Sequence, residues 1–454
     1  MRPRSREMTA ARAIRQTLAA ILSKDTSAAE RYHALSGDER RRLREALGIT
    51  GLRSLTRLIK DAKKKKFEAA HKRFLRLAKE GPITTPVYLL DETLIEENMR
   101  VLRYVKERTG CKILHALKAY ASFATFPVMA RYLDGTCASG LHEARLGHEE
   151  FGKEVHAFAA AYREEEIAQI LKYSDFIIFN SFYQLEKYGK TARKRGADVG
   201  VRVNPGHAEV STEMYNPCAP CSRLGIIHDV FIDEFPKYAH MVDGLHFHAM
   251  CEQNSDVLQR ILDSFERLYG PYISRLKWVN FGGGHHITRD DYDLERLINL
   301  VRTFKKKYGV QVYLEPGEAS VLNAGVLIAS VLDIVRNEME SAILDVSAET
   351  HMPDVLLMPY RPLIPGSAGA NEKKHTYRLA GPSCLAGDVI GDYSFDHPLK
   401  RGDRLVFCDM ALYSIVKGTM FNGINLPDIA VIRGAGKLDL VRRFGYRDYR
   451  GRQS

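Results

Sequence analysis

Three observations predict an α/β chain in which a closed (β/α)8, TIM-like barrel is followed by a β-rich domain and preceded by a basic helical segment. From Thr84 onward short β-rich runs alternate with amphipathic helical runs, about eight times, which is the pattern of a parallel sheet built from βα units. After Ala319 the alternation fades and the β-rich runs are punctuated by glycine and proline. Before Gly81 the pattern is helical throughout. With 454 residues the chain is long enough for several folding units, and the expected division is 1–82, 83–318 and 319–454.

In the first unit Leu18, Ile21 and Leu22 form one apolar stripe and Leu52, Leu55, Leu58 and Ile59 another. Ser36 and Glu39 have capping-box spacing, which starts a helix ending near Gly48. The net charge of +11 is concentrated here: residues 1–80 hold 22 Lys and Arg against 9 Asp and Glu, leaving 45 basic and 47 acidic residues elsewhere. The run Lys63 to Lys66 belongs either to an arm for RNA or a membrane surface, or to a helix face packed beside the main body. The second reading is preferred because charge runs mark partners weakly, so a nucleic-acid partner is not expected.

The barrel strands are expected at 87–90, 113–116, 135–138, 155–159, 176–179, 199–203, 244–248, 278–281 and 312–314, with helices between them such as 92–108, 141–151 and 256–269. Runs at 324–335, 404–407 and 429–433 are assigned to the last unit. Composition is that of a soluble globular chain, at 45% hydrophobic and 27% charged, with no run long enough to cross a bilayer. The basic opening stretch MRPRSREMTAARAIRQ lacks the apolar core of a secretory signal, and seven sparsely spaced cysteines suit reduced thiols, so a cytoplasmic location is expected.

In a barrel, reactive groups lie where strands end. Lys118 closes the strand Lys112-Ile-Leu-His-Ala-Leu-Lys-Ala-Tyr120, and its apolar neighbours Leu114, Ala116 and Leu117 would draw its ammonium partly out of water. Burial lowers a lysine pKa, and a neutral lysine can form a Schiff base with an aldehyde such as pyridoxal phosphate. A strand-end lysine reaching solvent is the plainer alternative. Gly282, Gly283 and Gly284 follow a late strand, where backbone amides could close on a phosphate; a tight turn would look the same. Glu315, in Leu314-Glu-Pro-Gly-Glu318, could hold a proton on a pyridine nitrogen and so favour decarboxylation, whereas an arginine there would favour racemisation; an ordinary surface carboxylate is the alternative. His246 and His248 share one strand face, suited to stacking on a flat cofactor. No third and fourth ligand accompanies them, and the single Cys218-Ala-Pro-Cys221 reads as a loop, so no metal site is assigned.

Ala116-Leu-Lys-Ala-Tyr120, Cys137-Ala-Ser-Gly-Leu-His-Glu-Ala-Arg-Leu-Gly147, His246-Phe-His248, Gly282 to Gly284 and Glu315-Pro-Gly317 together resemble the ornithine and diaminopimelate decarboxylase superfamily. Asn216-Pro-Cys-Ala-Pro-Cys-Ser-Arg-Leu-Gly225, Leu344-Asp-Val-Ser-Ala348, His351-Met-Pro-Asp-Val355, Met358-Pro-Tyr-Arg-Pro362 and Cys384-Leu-Ala-Gly-Asp388 are similar to its carboxynorspermidine decarboxylase branch. The resemblance, over about residues 83 to 445, implies a pyridoxal-phosphate enzyme of polyamine biosynthesis. Carboxynorspermidine and carboxyspermidine would lose carbon dioxide to give norspermidine and spermidine. It further implies that Lys118 carries the cofactor aldehyde, His248 stacks on the ring, Arg202 lies near the cofactor, Gly282 to Gly284 and Tyr413 bind the phosphate, and Glu315 pairs with the ring nitrogen.

The same resemblance implies a homodimer with the active site at the subunit interface, where Cys384 of one subunit protonates Cα in its neighbour. Its alternative is a buried small hydrophobe. Glu318 and Asp354 are the acids expected to receive a cationic substrate tail, since many relatives carry arginine at the place of Glu318, which would suit a second carboxylate instead. Thr136 stands where ornithine decarboxylases carry aspartate, so that subfamily's details do not transfer. Another basic amino-acid decarboxylase, such as one for diaminopimelate, and a non-catalytic pyridoxal-phosphate-binding protein are the alternatives.

Overall fold

In a computed structural model, which describes residues 3–434 and 436–454, the chain folds as a barrel flanked by a mixed sheet and a helical unit. Met1 and Arg2 of the basic opening stretch lie outside the described residues. Four helices come first: α1 (Pro3–Leu22), α2 (Ala28–Ala34), α3 (Gly37–Ala46) and α4 (Ile49–Glu80). Ser36 caps α3 through the reciprocal bonds with Glu39 that its spacing predicts, and α3 stops at Ala46. Ile21, Leu43, Leu55, Leu58 and Ile59 are buried, whereas Leu22 is exposed: one residue past Ile21 turns it about 100° off the inward face.

The basic residues of this unit fall into two sets. Arg40 and Arg44 pair with Glu107, Lys66 with Glu97 and Arg73 with Asp91, all on the main body, while Lys64 and Lys65 face solvent. One face of the unit is thus packed against the main body. Among the described residues no helix is long and apolar enough to cross a membrane.

The closed barrel is formed in chain order by β2 (Lys112–Ala116), β3 (Gly135–Ala138), β4 (Glu154–Phe158), β5 (Phe176–Phe179), β6 (Asp198–Arg202), β7 (Gly244–His246), β8 (Trp278–Asn280) and β9 (Gln311–Leu314), and β9 closes parallel on β2. The strand expected at 87–90 is a correction. As β1 (Val87–Asp91) it pairs antiparallel with β10 (Gly325–Asn337) and parallel with β16 (Asp428–Arg433), in the other sheet. The following helix α5 (Glu92–Thr109) made β1 read as a barrel unit, yet a strand buried at all five positions is equally suited to either sheet. Among the described residues the mixed sheet has nine strands. It also holds β11 (Met339–Leu344), β12 (Ala368–Gly369), β13 (His375–Ala380), β14 (Val389–Phe395), β15 (Arg404–Cys408) and β17 (Lys437–Arg442). The long β10 joins its two halves, pairing β1 and β15 along its first residues and β11 along its last.

Inside the barrel, alternation along the strands separates two layers. At the N-terminal ends Leu114, Phe176, Ile178, Trp278 and Tyr313 pack into an apolar plug, with the His156 ring stacked 3.8 Å from Phe176. Trp278 fits because Gly200 and Gly244 face it; a Cβ on either would run into the indole. Two residues further on, the same strands present Asn280 after Trp278 and Glu315 after Tyr313, and the polar layer begins.

Candidate active site

The polar layer opens into a cavity of about 360 Å³ lined by Lys118, Arg202, His248, Gly283, Gly284, Glu315, Glu318 and Tyr413, with the 214–224 loop as one wall. Lys118 enters it from the turn after β2. The expected withdrawal of its ammonium from water is corrected: Ala116 and Leu117 are buried, but the strand has ended and Lys118 itself is exposed in the cavity mouth.

Glu315 is 8% exposed, so the surface-carboxylate alternative fails. Its Oε1 accepts from Asn280 Nδ2 at 2.7 Å and its Oε2 lies 3.1 Å from His246 Nε2. Burial by itself would raise its pKa, but the facing His246 and the Asn280 bond outweigh it and hold the carboxyl at about 2. Burial in turn lowers His246 below the ordinary histidine range, against the pull of Glu315.

His248 makes a different bond: its Nδ1 accepts from the Gly283 N–H at 2.8 Å. Burial, then the charges of Lys118 and Arg202, push it well below the usual range and leave a neutral, flat ring on the cavity wall. The two histidines are thus committed to different partners. Arg202, 5% exposed, donates to the His248 carbonyl at 3.2 Å and lies 4.7 Å above the Phe158 ring; burial lowers it to about 10.

Gly282 and Gly284 have φ of 69° and 81°, and a Cβ would meet the Phe247 carbonyl at the first and the Met250 carbonyl at the second. Of the three amides, Gly282 donates to Asn280 Oδ1 and Gly283 to His248, whereas that of Gly284 has no acceptor among the described residues. Tyr413 has φ of 53°, a strained value for a bulky residue, and its N–H donates to the Ala119 carbonyl at 2.7 Å, which pins the mixed sheet's loop to the Lys118 turn. Thr136 is fully buried and leaves room for Gly147, whose Cβ would collide with its hydroxyl.

Two expected residues are not brought to this cavity wall. Asp354 is engaged by Lys417 and by the Tyr215 hydroxyl, and Cys384 is exposed on a loop where its N–H donates to Asn422 Oδ1 at 2.8 Å. The buried-hydrophobe alternative for Cys384 therefore fails. Glu318 does reach the cavity, with its Oε2 2.7 Å from His286 Nε2.

Sequence reasoning missed Glu252 and Asp409. Partial burial and then Glu318 raise the pKa of Glu252, and burial with Glu318 and Glu252 nearby pushes Asp409 up to about 7. Glu252 and Glu318 both line the cavity, whereas Asp409 lies in a neighbouring one beside Lys63. No sequence signal marks Glu252, which sits at φ of 54° in a loop six residues past β7.

Comparison with known proteins gives consistent results. The family described as pyridoxal-dependent decarboxylase, C-terminal sheet domain, matches residues 53–411. The chain is 43% identical to the carboxynorspermidine/carboxyspermidine decarboxylase of Campylobacter jejuni, over 81% of this chain and 98% of that protein. It is 39% identical to a carboxyaminopropylagmatine decarboxylase of Synechocystis, over 82% of this chain and 95% of the relative. A crystal structure of carboxynorspermidine decarboxylase complexed with norspermidine, from Campylobacter jejuni, superposes with a TM-score of 0.76 at 42% identity and covers 82% of this chain and 100% of its own.

Proposed function

This chain belongs to the pyridoxal-dependent decarboxylases with a C-terminal sheet domain, and from that premise we propose that it decarboxylates carboxynorspermidine and carboxyspermidine to norspermidine and spermidine. The observation that carries the reading is Glu315, a buried carboxylate held ionised in the same cavity as Lys118.

The residues fit pyridoxal phosphate: a lysine amine, a flat neutral imidazole, an unsatisfied glycine amide and a buried anion converge on one cavity. When bound, that group supplies an aldehyde for the substrate amine and an electron-withdrawing ring that stabilises charge at Cα. Lys118 would hold the aldehyde and His248 would lie against the ring. Gly284, in the turn shaped by Gly282 and Gly283, would meet the phosphate together with Tyr413 from the cavity wall, and Arg202 would fix the His248 backbone. Glu315 would keep a proton on the ring nitrogen, which favours loss of carbon dioxide over racemisation. The acidic side of the mouth supports a cationic tail: Glu318 and Glu252 would receive its ammonium groups, and Asp354 would act at the rim through its pairs with Lys417 and Tyr215.

Cys384 would donate its thiol proton to Cα after carbon dioxide leaves, in the site of a second subunit. Its exposure away from its own chain's cavity supports this homodimer. Mixing inactive Lys118→Ala and Cys384→Ser subunits then restores about a quarter of the wild-type activity, because half the dimers carry one intact composite site. No recovery on mixing contradicts the shared site. Seven unpaired cysteines suit a cytoplasmic enzyme.

The test of function is to supply the cofactor-loaded protein separately with carboxynorspermidine, carboxyspermidine, carboxyaminopropylagmatine and meso-diaminopimelate, and to quantify carbon dioxide and amine. Release from either of the first two supports the proposal. Release from diaminopimelate alone overturns the reading of the acidic wall, and no release from any of them returns the non-catalytic alternative.

A further inference from the structure

The loop that follows the glycine turn is tied down from outside the barrel. On α4, Lys63 is 4% exposed and donates to the Thr288 carbonyl at 2.7 Å, with Asp290 at 3.7 Å. One turn back Lys60 donates to the Tyr292 carbonyl at 3.1 Å, and a further turn back the Thr56 hydroxyl reaches Glu295 at 2.6 Å. Three successive turns of one helix therefore grip residues 288–295. From this loop two bonds run inward: Thr288 Oγ1 to the Ala319 carbonyl at 2.7 Å, and His286 Nε2 to Glu318 at 2.7 Å.

A lysine is rarely buried without a structural reason, because its ammonium must leave water. The reason here is a carbonyl acceptor on a loop that has little regular structure of its own. The solved relative is covered end to end by 82% of this chain, so 18% of this chain is unmatched there, about the size of the helical unit.

We propose that the N-terminal helical unit is an intramolecular brace, in which Lys63 and Lys60 are positioning residues that set His286 and through it the Glu318 carboxylate for the substrate's cationic tail. The inference rests on the reading of Glu318 given above. Loosening the brace lets His286 and Glu318 sample other rotamers, which weakens recognition of the tail while leaving Lys118 and Glu315 in place.

A double-mutant cycle in the full-length, cofactor-loaded protein tests it, using wild type, Lys63→Met, Glu318→Gln and the pair, with kcat and KM measured on carboxynorspermidine. Lys63→Met is expected to raise KM about five-fold with kcat little changed, and to add nothing once Glu318 is already Gln. An unchanged KM, or the same rise in both backgrounds, overturns the proposal. Lys60→Ala, which removes one bond at a half-buried site, is expected to give a smaller rise with the same non-additivity if Lys63→Met fails to fold. Amide hydrogen exchange over residues 285–295 needs no substrate: faster exchange in Lys60→Ala supports the brace, and unchanged exchange contradicts it even if wild type proves inactive on this substrate.

Discussion

The two layers of the barrel interior are built from the same strands, two residues apart, and obey opposite rules. The lower layer is an aromatic plug in which Trp278 occupies space vacated by two glycines, and even His156 is stacked there against Phe176. In the upper layer Asn280, Glu315, His246 and His248 leave a cavity, and Glu315 and His248 Nδ1 are each held by partners of defined chemistry. One layer is optimised for contact and the other for charge. Substitutions should therefore separate stability from activity according to height in the barrel.

The sharpest way to break this comparison is to alter one residue in each layer. Lys118→Ala is expected to reduce turnover at least about a thousand-fold while leaving the denaturant midpoint nearly unmoved, since its side chain is exposed. Trp278→Ala is expected to cost about 3–5 kcal/mol of stability, read from urea unfolding, and to leave the properly folded fraction active. If Lys118→Ala unfolds the protein, or Trp278→Ala abolishes turnover at full stability, the division by height is wrong.

A smaller effect sharpens the upper layer. His246 helps to hold Glu315 in its charged form, so His246→Gln removes one of the groups, with His156 and Asn280, that together bring the carboxyl pKa down to about 2. The sign follows directly: without that partner the carboxyl binds its proton at higher pH, and the acid limb of kcat/KM moves upward. A loss of about ten-fold at neutral pH should accompany the shift. A uniformly reduced rate with an unmoved acid limb would mean that His246 is merely packing.

Much of this was legible in the sequence because it depended on local pattern. The capping box at Ser36, the eight barrel strands, the three-glycine run and the carboxylate ending Leu314-Glu-Pro are set by neighbours within a few positions. What the sequence withheld depends on distant partners. Nothing in residues 87–91 says that they pair with β10 and β16 rather than with the barrel, since βα spacing is the same in either case. Asp354 reads as a free acid until the fold brings Lys417 against it, and Lys118 reads as buried because its apolar neighbours precede it in sequence although the chain turns between them. Glu252 is invisible for the same reason, becoming an acidic wall by facing Glu318. The basic charge run likewise gains meaning from the carbonyl that receives Lys63.

The most direct measurement is to reduce the cofactor-loaded protein with borohydride, digest it and map the pyridoxyl-bearing peptide by mass spectrometry. The label is expected on Lys118, the lysine that shares its cavity with Glu315 and His248. A label on another lysine, or none on a protein that releases carbon dioxide, would contradict the assignment of the upper layer as the catalytic one.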